Sequence, residues 1–252
     1  MSKGFRDHFS SVSSDYVKNR PTYPLDLFEW LAGQCMSRDL AWDCGTGNGQ
    51  AATGLARYFD RVLATDASTS QIAQAIHHPK IEYRVSPAES CCLDNRSADL
   101  VVIAQALHWF DLDHFYTEVT RGLKPGGLVA AWSYGVLMVE GEEVNAMVQR
   151  FYHNELGPYW PPERRHVETG YRDLAFPFTR IPAPSFAMSA SWTLEQLLGY
   201  FRSWSATAYF IEDKGFDPVS NLELHLRDYW KDVDQRRAIE WPLAILVGST
   251  TR

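Results

Sequence analysis

The run Asp43-Cys44-Gly45-Thr46-Gly47-Asn48-Gly49 places an acid two residues ahead of three glycines in alternation. A second apolar stretch, Val62-Leu63-Ala64-Thr65, ends in Asp66, 21 residues after Gly45. A glycine-rich turn after a strand lets a ligand approach the backbone closely, and an acid at the end of the next strand accepts hydrogen bonds from a ribose diol. Together they point to a cofactor that contains adenosine. In a dinucleotide fingerprint led by Gly45 the third glycine would fall at Gln50; led by Gly47 it would fall at Ala52, a permitted substitute. The dinucleotide reading is therefore weakened and not excluded. The Asp43 carboxylate would repel a pyrophosphate but suits a cationic amino-acid tail. Charge thus favours S-adenosylmethionine, with its ammonium and sulfonium, over NAD.

Short apolar runs that alternate with helical segments must position these residues. Strands are expected at Leu40–Cys44, Arg61–Asp66, Ile81–Val85, Leu100–Ala104 and Leu128–Tyr134. Helices are expected at about Gln50–Tyr58, Ser70–Ile76 and Leu112–Gly122. This alternation implies a parallel sheet covered on both faces, with ligands beyond the carboxyl ends of its strands. A short helix around Asp7–Lys18 and another over Leu25–Cys35 precede it, joined by an extended Arg-Pro-Thr-Tyr-Pro link. Beyond it, helices are expected over Glu142–Glu155, from a Thr193 cap to about Trp204, and between Pro218 and Trp230. The remaining strands are expected near Phe178–Met188 and over 243–248.

The glycine run resembles the first motif of the class I S-adenosylmethionine-dependent methyltransferases. Further along and in the right order, Ser86-Pro87-Ala88-Glu89 resembles that superfamily's adenine-side segment after the third strand, Asp99–Phe110 its fourth strand with the loop beyond, and Arg121-Gly122-Leu123-Lys124-Pro125-Gly126-Gly127 the turn before its fifth strand. That resemblance implies an α/β fold: a doubly wound seven-stranded mostly parallel sheet, Rossmann-like, with an antiparallel last strand and a helical lid. Residues 1–36 would be N-terminal cap helices, 37–156 the cofactor-binding core, and 157–252 the lid helices with the last two strands. It implies S-adenosyl-L-methionine as cofactor, held by Asp43, Gly45, Thr46, Gly47, Gly49, Asp66, Ala67 and Ser68. Ala88 and Glu89 would lie on the adenine side, and Gln105, Ala106 and Trp109 beside the methionine moiety.

Four further segments resemble the type 11 methyltransferases related to the trans-aconitate and cantharidin enzymes. They are Tyr16–Pro24, Ala104–Asp111, Tyr159–Arg164 and Phe201–Ala206. On this resemblance Tyr16 and Arg20 hold the cofactor, while Tyr23, Trp109 and Arg164 contact the substrate. The acceptor would be a small molecule and the favoured reaction O-methylation of a carboxylic acid. A carboxylate is already ionised at neutral pH and needs no base; for a phenol or amine acceptor, His108 is the candidate base. C- or N-methylation of another metabolite, or a cofactor-binding regulatory module without turnover, are the rival readings. Bland alternatives stand beside these roles: Ser68 as a helix cap, Arg164 and Arg165 as a solvated charge cluster, and Trp192, Trp204, Trp230 and Trp241 as core.

Of 252 residues 45% are hydrophobic and the net charge is −7, so the chain can bury a substantial core and lacks the basic surplus of nucleic-acid binders. Cys35, Cys44, Cys91 and Cys92 have no metal-ligand spacing and read as reduced thiols. No apolar run has the length of a membrane span, and the polar N-terminus is not a signal peptide. The expected protein is cytoplasmic, a monomer or homodimer, without nucleic-acid or membrane partners.

Overall fold

The computed structural model describes residues 21–250. The expected Asp7–Lys18 helix and the candidate residues Tyr16 and Arg20 lie outside the described residues.

Helix α1 (Leu25–Gln34) buries Leu27, Phe28, Leu31 and Ala32 on one stripe, as a helix packed on a sheet must. There follow β1 (Leu40–Cys44), α2 (Gln50–Leu55), β2 (Arg61–Asp66), α3 (Thr69–Ala73), β3 (Ile81–Val85) and β4 (Ala98–Ala104). Then come α4 (Leu112–Gly122) and β5 (Leu123–Tyr134). β1 to β5 are parallel in the order β3-β2-β1-β4-β5. β4 is buried along six of its seven positions, Ala98 to Ile103, the mark of a strand covered on both faces.

The second half of the chain comprises β6 (Met138–Val139), α5 (Glu142–Arg150) continued by a wide turn over Phe151–Glu155, α6 (Arg164–Glu168), β7 (Thr179–Arg180) and β8 (Ala187–Trp192). Three helices follow, α7 (Leu194–Arg202), α8 (Ser205–Lys214) and α9 (Pro218–Trp230), before β9 (Arg237–Ser249). β9 runs antiparallel to β5, and β6, β7 and β8 pair with β9. The doubly wound sheet with an antiparallel last strand is therefore present, with nine strands among the described residues.

Several expectations change in detail: β4 and β5 begin early, at Ala98 and Leu123, and α2 and α3 end early, at Leu55 and Ala73. The strand expected over Phe178–Met188 is divided into β7 and β8, because Pro182 and Pro184 have no N–H to give β9. β9 begins at Arg237, ahead of the expected position 243, and carries Pro242 opposite Ala187. Helix α8 has no counterpart among the expected elements: it buries only Ala206 and Thr207, too little for a periodic apolar signal, and ends on left-handed Gly215.

Trp132 and Trp241 anchor one core with α1, α2 and the α7–α9 helices, while Trp42, Phe115 and Tyr171 lie in the other. Trp192, Trp230 and Trp241 are buried, so they are core and not a platform for substrate. The lysine of Leu123-Lys124-Pro125-Gly126-Gly127 works at the amino end of the sheet: its Nζ lies 2.7 Å from Asp99 Oδ1. Asp99 Oδ2 accepts from the backbone N–H of Asp39 and Leu40 at 2.8 and 3.0 Å. That network pins β1, β4 and β5 together at the end opposite the glycine run.

Candidate active site

β1 and β2 deliver Asp43 and Asp66 to the carboxyl edge of the sheet. After β1 the chain turns sharply: the N–H groups of Gly45 and Thr46 both donate to the Thr65 carbonyl of β2, each at 2.9 Å. Gly45, Gly47 and Gly49 all have left-handed φ, of 71°, 56° and 90°. At Gly45 close approach also matters, since a Cβ there would lie 2.6 Å from the Ala106 Cβ. Thus the first glycine is required by the loop after β4, which brings Ala106 beside the glycine turn.

Asp66 joins the two loops. Its Oδ2 accepts from Gly47 N–H and its Oδ1 from Ser68 N–H, both at 2.8 Å. Each oxygen keeps lone-pair capacity for a further donor. Ser68 caps α3 by accepting from Gln71 N–H at 3.3 Å, which is the bland reading of that residue. Ala67 is exposed between them.

Asp43 is fully buried. Its Oδ2 accepts from the Thr46 hydroxyl at 2.6 Å, while its Oδ1 has no partner among the described residues. Burial raises its carboxyl from 3.8 to about 7; the Thr46 hydroxyl and the nearby Ala52 backbone oppose the shift, and Asp66 adds to it. On the adjoining strand Gln105 adopts a left-handed φ of 58° and donates through Nε2 to the Tyr134 carbonyl at 2.8 Å. Its Oε1 is a second buried acceptor without a partner among the described residues. Buried acceptors left open carry a desolvation cost that a ligand donor relieves. Two of them at the ends of adjacent strands, with Asp66 at the next strand end, fit the ammonium and ribose hydroxyls of S-adenosylmethionine.

Ala88 is buried, and Glu89 accepts from Asp111 N–H at 3.0 Å, tying the loop after β3 to the start of α4. A short turn over Leu107–Trp109 follows β4. His108 Nδ1 lies 3.1 Å from the Tyr171 hydroxyl, and its ring centroid is 4.6 Å from that of half-exposed Trp109. Burial, with Arg164 and His166 close by, pushes His108 down to about 3, so the imidazole is neutral. The Arg164 guanidinium lies 4.8 Å from the Trp160 ring centre and 5.6 Å from that of Tyr152, and its Nε donates to the Tyr152 hydroxyl at 2.8 Å. Arg164 forms no ion pair among the described residues. Tyr23 packs edge-on against Trp132 at 5.4 Å and near Tyr134, at the carboxyl half of β5.

A family model described as a methyltransferase domain matches residues 42–131. A methyltransferase-family protein of Dictyostelium discoideum is 35% identical over 233 residues, covering 91% of this chain and 89% of the relative. The chain belongs to the class I S-adenosylmethionine-dependent methyltransferases. A solved structure from Anaeromyxobacter dehalogenans, described as a type II methyltransferase, superposes with a TM-score of 0.87 at 44% identity, covering 91% of this chain and 97% of that one. A Saccharomyces cerevisiae protein named as an S-adenosylmethionine-dependent methyltransferase is 30% identical over 131 residues, covering 48% of this chain and 45% of its own length.

In this methyltransferase the matched segment holds the glycine turn, Asp66, Glu89 and the Gln105–Trp109 turn, the cofactor-side candidates. The acceptor-side candidates are built largely from outside it. Three groups there escape sequence reasoning: Tyr171, the Tyr152–Trp160 cradle of Arg164, and His166, whose Nδ1 lies 2.7 Å from Asp173 Oδ2. Tyr171 meets His108 across 63 residues, a separation that no local pattern encodes. The four cysteines are free thiols, and no group of metal-binding side chains occurs among the described residues. No helix of the described residues is long and apolar enough to cross a membrane.

Proposed function

We propose that this methyltransferase acts on a small organic acid, with a carboxylate oxygen as the methyl acceptor. S-adenosylmethionine, when bound, supplies a methyl group made electrophilic by a sulfonium. Asp43 Oδ1 and Gln105 Oε1 hold the methionine end and Asp66 the ribose, since each presents open acceptor capacity to a donor-rich ligand. Ala106 and the glycine turn set how closely that ligand meets the backbone.

The observation that carries the acid reading is Arg164. Its guanidinium is fixed by Tyr152 and stacked on Trp160, and carries no ion pair among the described residues. A planar cation pre-oriented in this way matches a carboxylate bidentately. It would bind one carboxylate of the substrate and leave a second carboxylate to be aligned for displacement. Such a nucleophile is already ionised, so the protein need only orient it and exclude water. Trp109 and Tyr23 would flank it with apolar surface.

The test is release of S-adenosylhomocysteine by purified protein offered a panel of mono-, di- and tricarboxylic acids beside the matching amides. Turnover confined to the acids supports the reading. Turnover with the amides would reject it.

A further inference from the structure

Tyr171 is wholly buried yet sits in left-handed backbone, φ 61°, directly after left-handed Gly170, φ 62°. A non-glycine residue held there costs about 1–2 kcal/mol, so its surroundings must over-determine it. They do. Its N–H donates to the His166 carbonyl at 2.8 Å, closing the end of α6, and a Cβ on Gly170 would lie 2.6 Å from the Ala244 Cβ of β9. The bend carries the phenol to His108.

Proton counting at this contact favours one direction for the shared hydrogen bond. Burial holds the Tyr171 hydroxyl well above its ordinary range, so it keeps its proton, while the Leu107 N–H acts on its oxygen. A buried hydroxyl proton needs an acceptor, and among the described residues His108 Nδ1, at 3.1 Å, is the one within reach. The neutral ring then carries its proton on Nε2.

We propose that Tyr171 is a positioning residue that locks His108 in the Nε2–H tautomer, so that His108 serves the methyl acceptor as a hydrogen-bond donor to oxygen and not as a base. The charged and titratable groups facing His108 are Arg164 and His166 on α6 and Tyr171 after it, with Tyr134 facing Tyr171 in turn. No proton moves in this role. An anionic or carbonyl oxygen accepts from Nε2–H, and an acceptor that must lose a proton is selected against. The substrate half of this inference rests on the organic-acid reading; the tautomer half does not.

The test is long-range proton–nitrogen correlation on the full chain labelled with nitrogen-15 histidine, with the His108 signals assigned by their loss in His108→Gln. The expected result is the Nε2–H tautomer from pH 5 to 8, giving way to a tautomer mixture or a titrating ring in Tyr171→Phe. A ring protonated on Nδ1, or one that titrates near 6.5 in the unmodified protein, overturns the inference whatever the substrate proves to be. In turnover with an acid acceptor, Tyr171→Phe should raise KM for the acid about tenfold, the scale of one lost hydrogen bond, and leave S-adenosylhomocysteine affinity unchanged. His108→Gln, which keeps an N–H donor, should retain activity within about tenfold. Abolition of turnover in His108→Gln with normal cofactor affinity would mark His108 as a base and overturn the donor role, leaving the acid reading to be judged on the panel of acids and amides.

Discussion

Asp66 and Gly47 are joined by a 2.8 Å hydrogen bond from the glycine N–H to the carboxylate Oδ2, so the residue expected to bind a ribose also holds the glycine turn in shape. The second oxygen takes the Ser68 N–H. One side chain therefore fixes both loops at the carboxyl edge of the sheet.

Replacing Asp66 should accordingly cost on two counts. Each charge-assisted bond is worth about 1.5–3 kcal/mol when lost from a partly buried place. Asp66→Ala should lower the melting temperature and weaken S-adenosylhomocysteine binding by at least about tenfold. Calorimetric titration and thermal denaturation on the same preparation read both effects. Unchanged affinity with lowered stability would leave Asp66 a purely structural residue.

Gly45→Ala puts a methyl group against Ala106 in left-handed backbone. The expected loss is about 1–3 kcal/mol of stability together with reduced cofactor binding. A denaturant titration at fixed pH measures the first quantity. A stable Gly45→Ala protein with full cofactor affinity would show that the turn has freedom the close contact denies.

Asp43 predicts a pH dependence of definite sign. Its carboxyl is raised to about 7 in the folded protein, so between about pH 4 and 7 the folded cofactor-free state binds more protons than the unfolded chain. Stability contributed at this site therefore falls as pH rises through that window, by up to about 4 kcal/mol. Binding an ammonium favours the ionised form, so S-adenosylhomocysteine affinity should drop as pH falls below about 7, by at most about tenfold per unit. Asp43→Asn should flatten both profiles and weaken binding at pH 8. Parallel titrations at several pH values check this.

Arg164→Ala should raise KM for an acid acceptor by about tenfold to a hundredfold and leave cofactor affinity intact. Arg164→Lys should recover little, because an ammonium on a flexible stem has neither the planar fork nor the stacking on Trp160. Steady-state kinetics with the two substrates varied separately resolve the effects. Equal loss of affinity for both substrates would place Arg164 in general support of the fold.

What the sequence discloses follows from what is local. β1, β2 and β3 begin and end where apolar periodicity places them, and Thr193 forms the expected cap, accepting from Gln196 N–H with the Gln196 side chain returning the bond. The glycine turn, Asp43 and Asp66 are likewise set within about twenty-five residues of one another, each by a turn or a strand end. The acceptor side has no such signal. Tyr171 reaches His108 through two consecutive left-handed residues whose strain is settled by β9, and Arg164 is positioned by Tyr152 on a preceding helix. Pro182 and Pro184 interrupt a run that otherwise reads as one strand, and Pro242 obscures the early start of β9 because a strand normally excludes it. Local chemistry thus marks the candidate cofactor edge, and tertiary packing assembles the rest.

The most direct measurement is transfer of isotopically labelled methyl from S-adenosylmethionine to a carboxylic acid, followed by mild alkaline treatment of the product. Methyl transfer to a carboxylate predicts a labelled product that gives up its label as methanol in alkali. Label that survives the treatment, on carbon or nitrogen, would contradict the account.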